Sequence, residues 1–261
     1  MKKRGFTLAE VLITLGIIGV ISALVIPQFV GNTYDQANAS KLSSIVSDYE
    51  NIFGHMLLRE DEENIFETEF GVAYRDTSTD ISAIQSALEQ YTKISRIGES
   101  LLNVGYTLSY LNNPLMPAAI AAGPDPDPDP IVQAVHIYDI NGNDATSSVE
   151  VKFALLTPGG ATIIFSPVVR LQSPPPYATI YIDVNGGGSP NRFGRDIFAF
   201  HMSTDGHLYP YGSLEASRIF SQNDTNVWRT TSSTTYSCNN GNYNGLGCTA
   251  RLIENNYKMD Y

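Results

Sequence analysis

The chain has 261 residues, of which 43% are hydrophobic and only 16% charged, with 15 Tyr and 11 Phe. That is enough apolar material for a packed core and excludes global disorder. The formal net charge is −11; three of the 16 cations, Lys2, Lys3 and Arg4, stand together at the N-terminus, so the rest is more acidic still. Such a surface repels nucleic-acid phosphate, and no basic patch with interleaved aromatics offsets it. Sparse charge with abundant Ser, Thr, Asn, Gly and Tyr suits an extracytoplasmic β-rich domain, and an acidic surface fits solubility outside the cell or cation binding.

The first element begins after MKKRG. From Val11 to Tyr34 no residue is charged. As a helix the 20 residues from Val11 to Val30 span about 30 Å, the thickness of a hydrocarbon core. The basic residues ahead of the run keep the N-terminus cytoplasmic. A cleaved secretory signal has a shorter apolar region, and Glu10 intrudes on it. A plain signal anchor accounts for the length but not for Glu10, because a carboxylate at the edge of a bilayer helix is unfavourable. A helix that waits in the membrane and later packs against copies of itself accounts for both. There Glu10 pairs with the α-amino group of a neighbouring subunit, which requires a new N-terminus close to Glu10 and so removal of the basic leader.

The stretch KRGFTLAEVLITLGIIGVISALVIPQ resembles the N-terminus of type IV pilins and type II secretion pseudopilins. The resemblance covers about 30 residues and rests on the leader, the glycine before Phe6, Glu10 and the apolar length. It implies cleavage between Gly5 and Phe6 by a prepilin peptidase, N-methylation of Phe6, an intersubunit role for Glu10 and a helix kink at Pro27, where a mid-helix proline bends a helix on physical grounds too. Residues 1–5 are then a cleaved leader, 6–31 a membrane and assembly helix, and 32–261 an extracytoplasmic globular domain. The implied partners are the peptidase, copies of this chain and other (pseudo)pilins, and inner-membrane assembly machinery. The implied location is a single pass in the cytoplasmic membrane, then a periplasmic or extracellular filament.

Past Asn32 the pattern becomes amphipathic. Leu42, Ile45, Val46, Tyr49, Ile52, Phe53, Met56 and Leu57 recur at helical spacing, so one helix is predicted from about Thr7 to Arg59, with its striped half covering a sheet. A second helical stretch, TDISAIQSALEQYTKISRIGESLL, carries apolar residues at Ile81, Ile84, Leu88, Tyr91, Ile94 and Ile97, with Thr79 or Asp80 as its cap. The segment at 123–130 alternates Pro and Asp and is an extended, exposed loop. Beyond it five strands are predicted: Val132–Tyr138, Val149–Leu156, Ala161–Val169, Ala178–Val184 and Asp196–Met202, with hairpin turns at TPGG and TDGH. The tail CTARLIENNYKMDY alternates apolar residues and is expected to dock as an edge strand. The fold class is therefore α+β and pilin-like: one long helix packed on an antiparallel sheet.

In YIDVNGGGSPNRFGRDIFAF, Asp183, Asn185, Asn191 and Asp196 flank a Gly-rich loop. Its D-x-N-G opening resembles that of a calcium loop, where carboxylate and amide oxygens converge on a hard cation; no glutamate completes an EF-hand. An Asx-turn between two strands accounts for the same residues, and both readings stand. YDINGNDAT, around Asp139 and Asp144, is a hairpin turn by its Asn-Gly. Cys238 and Cys248, ten apart in an exported chain, are expected to form a disulfide. His55, His136, His201 and His207 are scattered and match no catalytic motif. The function expected is therefore a structural, non-enzymatic filament subunit of a type II secretion pseudopilus or type IV pilus-like fibre. The alternative is a membrane-anchored extracytoplasmic binding domain or enzyme that only uses this leader.

Overall fold

The computed structural model describes residues 8–76, 80–106, 135–170, 175–221, 226–233, 235–239 and 243–261; within the first helix the side chains of 24–32 lie outside the description. That helix, α1, runs Leu8–Glu60, 53 residues, about 80 Å at 1.5 Å per residue. It ends where Asp61 takes a positive φ of 55° and Glu62 N–H donates to the Leu57 carbonyl at 3.0 Å, a Schellman stop.

The expected stripe is the seam of the molecule. Leu42, Ile45, Val46, Tyr49, Phe53 and Met56 are buried, and Ala39 extends the row. They lie on a six-stranded antiparallel sheet whose order follows the chain: β1 Arg96–Gly98, β2 Phe153–Leu156, β3 Thr162–Phe165, β4 Ala178–Asp183, β5 Ile197–Met202 and β6 Leu208–Pro210. The inner face of the sheet offers Phe153, Leu155, Ile163, Phe165, Ile180, Ile182, Phe198, Phe200 and Met202 to α1. Two short helices, α2 Glu69–Arg75 and α3 Ile81–Glu89, close one side of this core. Phe70 and Tyr74 of α2 meet Phe153 and Phe165 edge-on, with centroids 5.3–6.4 Å apart, a geometry that aromatic quadrupoles favour.

The outer face of the sheet is covered as well. Ala154, Ile164, Tyr181, Ile197 and Ala199 pack under Leu101, Val104, Tyr106, Ile137 and Val149 from irregular segments. Both hairpin turns form as expected. Thr157 N–H reaches the Ala161 carbonyl at 2.8 Å, and Ser203 N–H reaches that of His207 at 3.1 Å. In the second turn Gly206 has φ +78°, and a Cβ there would stand 2.7 Å from Phe53 Cβ. The turn is thus pressed against α1, where only glycine fits.

Several boundaries differ from expectation. The predicted helix past Ile81 stops at Glu89, and its distal part becomes the edge strand β1; Asp80, not Thr79, caps it, accepting from Ser82 and Ala83 N–H. Residues 149–152 precede β2 rather than join it, and Ser166–Pro167 ends β3 early because proline has no N–H for the ladder. Of the expected strand Val132–Tyr138, residues 132–134 lie outside the described set; the remainder forms only isolated bridges at Tyr138. The Pro/Asp segment 123–130 also lies outside it. The tail is corrected outright. Cys248–Glu254 is a helix, α4, because Cys248, Thr249, Ala250 and Leu252 bury on one side against β5 and the disulfide lobe. The two-residue alternation was too short to decide between periods.

Candidate functional site

Two regions carry the chemistry expected from the sequence. The first is the N-terminal half of α1. Gly5 and Phe6 lie outside the described residues, as does the side chain of Pro27. Glu10 stands in the first helical turn, at the surface, where a carboxylate complements the positive end of the helix dipole. The apolar residues around it point in every direction, and all are open, from Leu8 at 78% exposure to Ile21 at 55%. Among the described residues the sheet buries α1 from Asn38 onward. Among the described residues no helix is long and apolar enough to cross a membrane; the run 11–30 passes into 24–32, whose side chains are not described.

The second region is the β4–β5 connection. Asp183 ends β4 and Asp196 precedes β5, and both are fully buried. Asp183 Oδ1 accepts from Asn185 N–H at 3.1 Å, an Asx-turn that carries the chain into Gly186 at φ +66°. Its Oδ2 accepts from the Tyr106 hydroxyl. Asp196 gathers the other end of the loop. Oδ1 accepts from Arg192 N–H at 2.6 Å, and Oδ2 from Asn191 N–H at 2.9 Å and Asn185 Nδ2 at 3.2 Å. Burial pushes the Asp183 carboxyl well above the usual range, reinforced by the Asp196 charge. Burial also raises Asp196 to about 6 against the hydrogen bonds from Arg192, Asn191 and Asn185.

This loop grips α1 where the helix leaves the sheet. Asn185 Nδ2 donates to the Tyr34 hydroxyl at 2.7 Å, Arg195 Nη1 meets Asp35 Oδ2 at 3.1 Å, and Asn38 Nδ2 donates to the Arg195 carbonyl at 3.2 Å. The sequence pattern pointed to the loop but not to Tyr34, Asp35 or Tyr106; these lie 77 to 160 positions from their partners, and no local spacing signals such pairing.

As arranged, Asp183, Asn185 and Asp196 do not fit a calcium ion. All four carboxylate oxygens already accept from protein donors, and Asn185 turns its NH₂ rather than its oxygen toward Asp196. The amide oxygens Asn185 Oδ1 and Asn191 Oδ1 are buried without partners, but the Nδ2 branch of Asn185 is the one that holds the loop. Among the described residues no group of three or more His, Cys, Asp or Glu gathers as a metal site. The geometry is that of the Asx-turn.

The remaining candidates separate. Cys238 and Cys248 form a disulfide beside Trp228, whose Nε1 donates to Glu254 at 2.9 Å and whose ring lies under Arg229 and Arg251. His207 Nδ1 pairs with Glu50 at 2.6 Å, tying β6 to α1. His136 Nδ1 contacts Asp144 at 3.1 Å. His201 is packed among Tyr177, Tyr211 and Phe220, and burial pulls it down to about 4. Asp139 organises its own turn, accepting from Asn141 and Asn143 N–H at 2.8 Å.

Comparison with curated proteins returns no match, and comparison with solved structures returns none. One family model does match, over residues 1–26: the prokaryotic N-terminal methylation motif. The stretch holding Gly5, Phe6 and Glu10 is thus the leader signature of type IV pilins and pseudopilins.

Proposed function

We propose that this chain is the precursor of a pilin-like filament subunit. A prepilin peptidase removes residues 1–5 and Phe6 becomes the methylated N-terminus. Until assembly, residues 6–31 hold the protein in the cytoplasmic membrane with the sheet domain outside it. The subunit is then drawn through its helix into a type II secretion pseudopilus or type IV pilus-like fibre. Its role is structural rather than enzymatic.

The observation that carries this reading is the methylation motif joined to a half-helix that is apolar on every side and uncovered by its own domain. A helix apolar all round requires lipid or other helices as cover, and the same surface serves both in turn. Packing of α1 against copies of itself is heterologous, head-to-tail association, which generates an open helical array. Co-expression with a prepilin peptidase, followed by mass spectrometry of the membrane fraction, tests the first step. The expected N-terminus is Phe6 with one added methyl group. A chain still beginning at Met1 in the presence of active peptidase contradicts it.

A further inference from the structure

The far end of the sheet carries a basic cavity that the filament reading leaves unused. It measures about 330 Å³ and is lined by Tyr74, Arg75, Lys152, Pro167, Val168 and Arg170. Three cations from three segments meet here, in a chain of net charge −11: Arg75 closes α2, Lys152 precedes β2, and Arg170 follows β3. We propose that this cavity binds a compact oxyanion, a carboxylate, phosphate or sulfate group, held by Arg75, Lys152 and Arg170.

The local charges do not balance without it. Glu67 takes Arg75 through both terminal nitrogens, at 3.0 and 3.3 Å, and Asp76 lies beside Lys152. Among the described residues two carboxylates thus face three cations. The flanking segments 77–79 (Thr-Ser-Thr) and 171–174 (Leu-Gln-Ser-Pro) contain no acidic residue.

Among the described residues the donors are in surplus too. Lys152 Nζ donates to the Asp76 carbonyl, and Arg170 Nη2 to the Arg75 carbonyl at 3.2 Å. These bonds cap the end of α2, but they use one N–H of the three on a lysine and one of the five on an arginine. Arg75 Nε is buried with no acceptor among the described residues, an arrangement that is costly unless something supplies one. Lys152 is held below its ordinary pKa by burial and by the Arg170 charge, against the opposing pull of Asp76; an anion between the two cations relieves both effects. Pro167 and Val168 give the apolar wall on which the body of a ligand can rest.

The site lies clear of the surface assigned to assembly. The register places Phe153 opposite Phe165 at this end of the sheet, and Thr162 opposite Asp183 at the end gripped by Tyr34.

The test is calorimetric titration of the full chain in nonionic detergent with inorganic phosphate, sulfate and acetate at matched ionic strength. The wild type is expected to bind at least one of them with a Kd on the order of a millimolar. Lys152→Gln and Arg170→Gln are each expected to weaken binding about tenfold, as the loss of a charge-assisted hydrogen bond does. Lys93→Gln, in a different groove, should leave it unchanged. Preference for phosphate or sulfate identifies a tetrahedral group, and preference for acetate a carboxylate. No binding by the wild type, or equal binding by a folded Lys152→Gln/Arg170→Gln variant, overturns the proposal and leaves the cations as caps of α2. Arg170 is exposed, so its single variant remains a readable test if Lys152→Gln fails to fold.

Discussion

Asp183 and Asp196 are buried carboxylates that share one loop. Burial raises both folded-state pKa values, so the folded protein holds these protons more tightly than the unfolded chain does. For Asp196 that contribution is complete below its ordinary value of 3.8 and is lost as pH rises through about 6. Asp80 and Asp144 shift the other way, Asp80 held down by hydrogen bonds from Ser82 and Ala83, and Asp144, against its partial burial, by those from Thr146 and His136, so the useful quantity is a difference between variants. Asp196→Asn is expected to start less stable, because an amide offers one acceptor oxygen where Asn191, Arg192 and Asn185 need two. Between pH 4 and 7 the wild type should nevertheless lose roughly 2–3 kcal/mol relative to the variant. Denaturant unfolding across that range, monitored by Trp228 fluorescence, checks it; parallel pH profiles would show that Asp196 titrates normally in the fold. The same experiment with and without calcium addresses the D-x-N-G opening, for which the hydrogen-bonded geometry predicts no shift in midpoint.

Among the elements, α1 carries the core. Phe53 is fully buried, stacks with Phe70 at 6.1 Å and supports the Gly206 turn. Phe53→Ala should destabilise the domain by about 3–5 kcal/mol, the usual range for a large core aromatic, measured by chemical denaturation. The disulfide works at smaller scale. Its ten-residue span closes a short loop beside α4, and Cys238→Ala/Cys248→Ala is expected to cost about 2–3 kcal/mol; an unchanged unfolding midpoint would show that the Trp228 cluster holds the lobe unaided.

These elements also show what the chain made legible. The stripe from Leu42 to Met56 repeats over four turns, long enough for its period to be unambiguous, and β3, β4 and β5 are marked by β-branched and aromatic runs between glycine turns. The Cys pair and the Asx opening at Asp183 are local signals too. β1 was hidden because three residues carry no period of their own and gain strand character only from pairing with β2. α4 is a helix where an edge strand is expected, because Leu252 and Ile253 fit either spacing until Cys248 is anchored. The contacts of Tyr34, Asp35 and Tyr106 depend on a loop brought back across the sheet, a tertiary fact that composition does not encode.

At the scale of the molecule, two halves of one helix have opposite needs. From Asn38 onward one face of α1 is buried by its own sheet; from Leu8 to Ile21 the helix is bare and apolar, and Glu10 sits at the head of that bare half. The loop at 183–196 holds the junction through Tyr34, Asp35 and Asn38. In the proposed fibre the bare half is covered by neighbouring helices, and the Phe6 amine of one subunit meets Glu10 of another in a dry contact, which makes the carboxylate a condition of assembly rather than of folding. The decisive measurement is the yield of sedimenting filaments from cells making wild-type or Glu10→Ala protein, with the peptidase and assembly machinery present and the Phe6 N-terminus verified in both. The account predicts normal processing and a folded sheet domain in the variant, with filament yield reduced at least about tenfold, a floor below the roughly 3–5 kcal/mol cost of breaking a buried pair. Filaments at wild-type yield from correctly processed Glu10→Ala protein would contradict it.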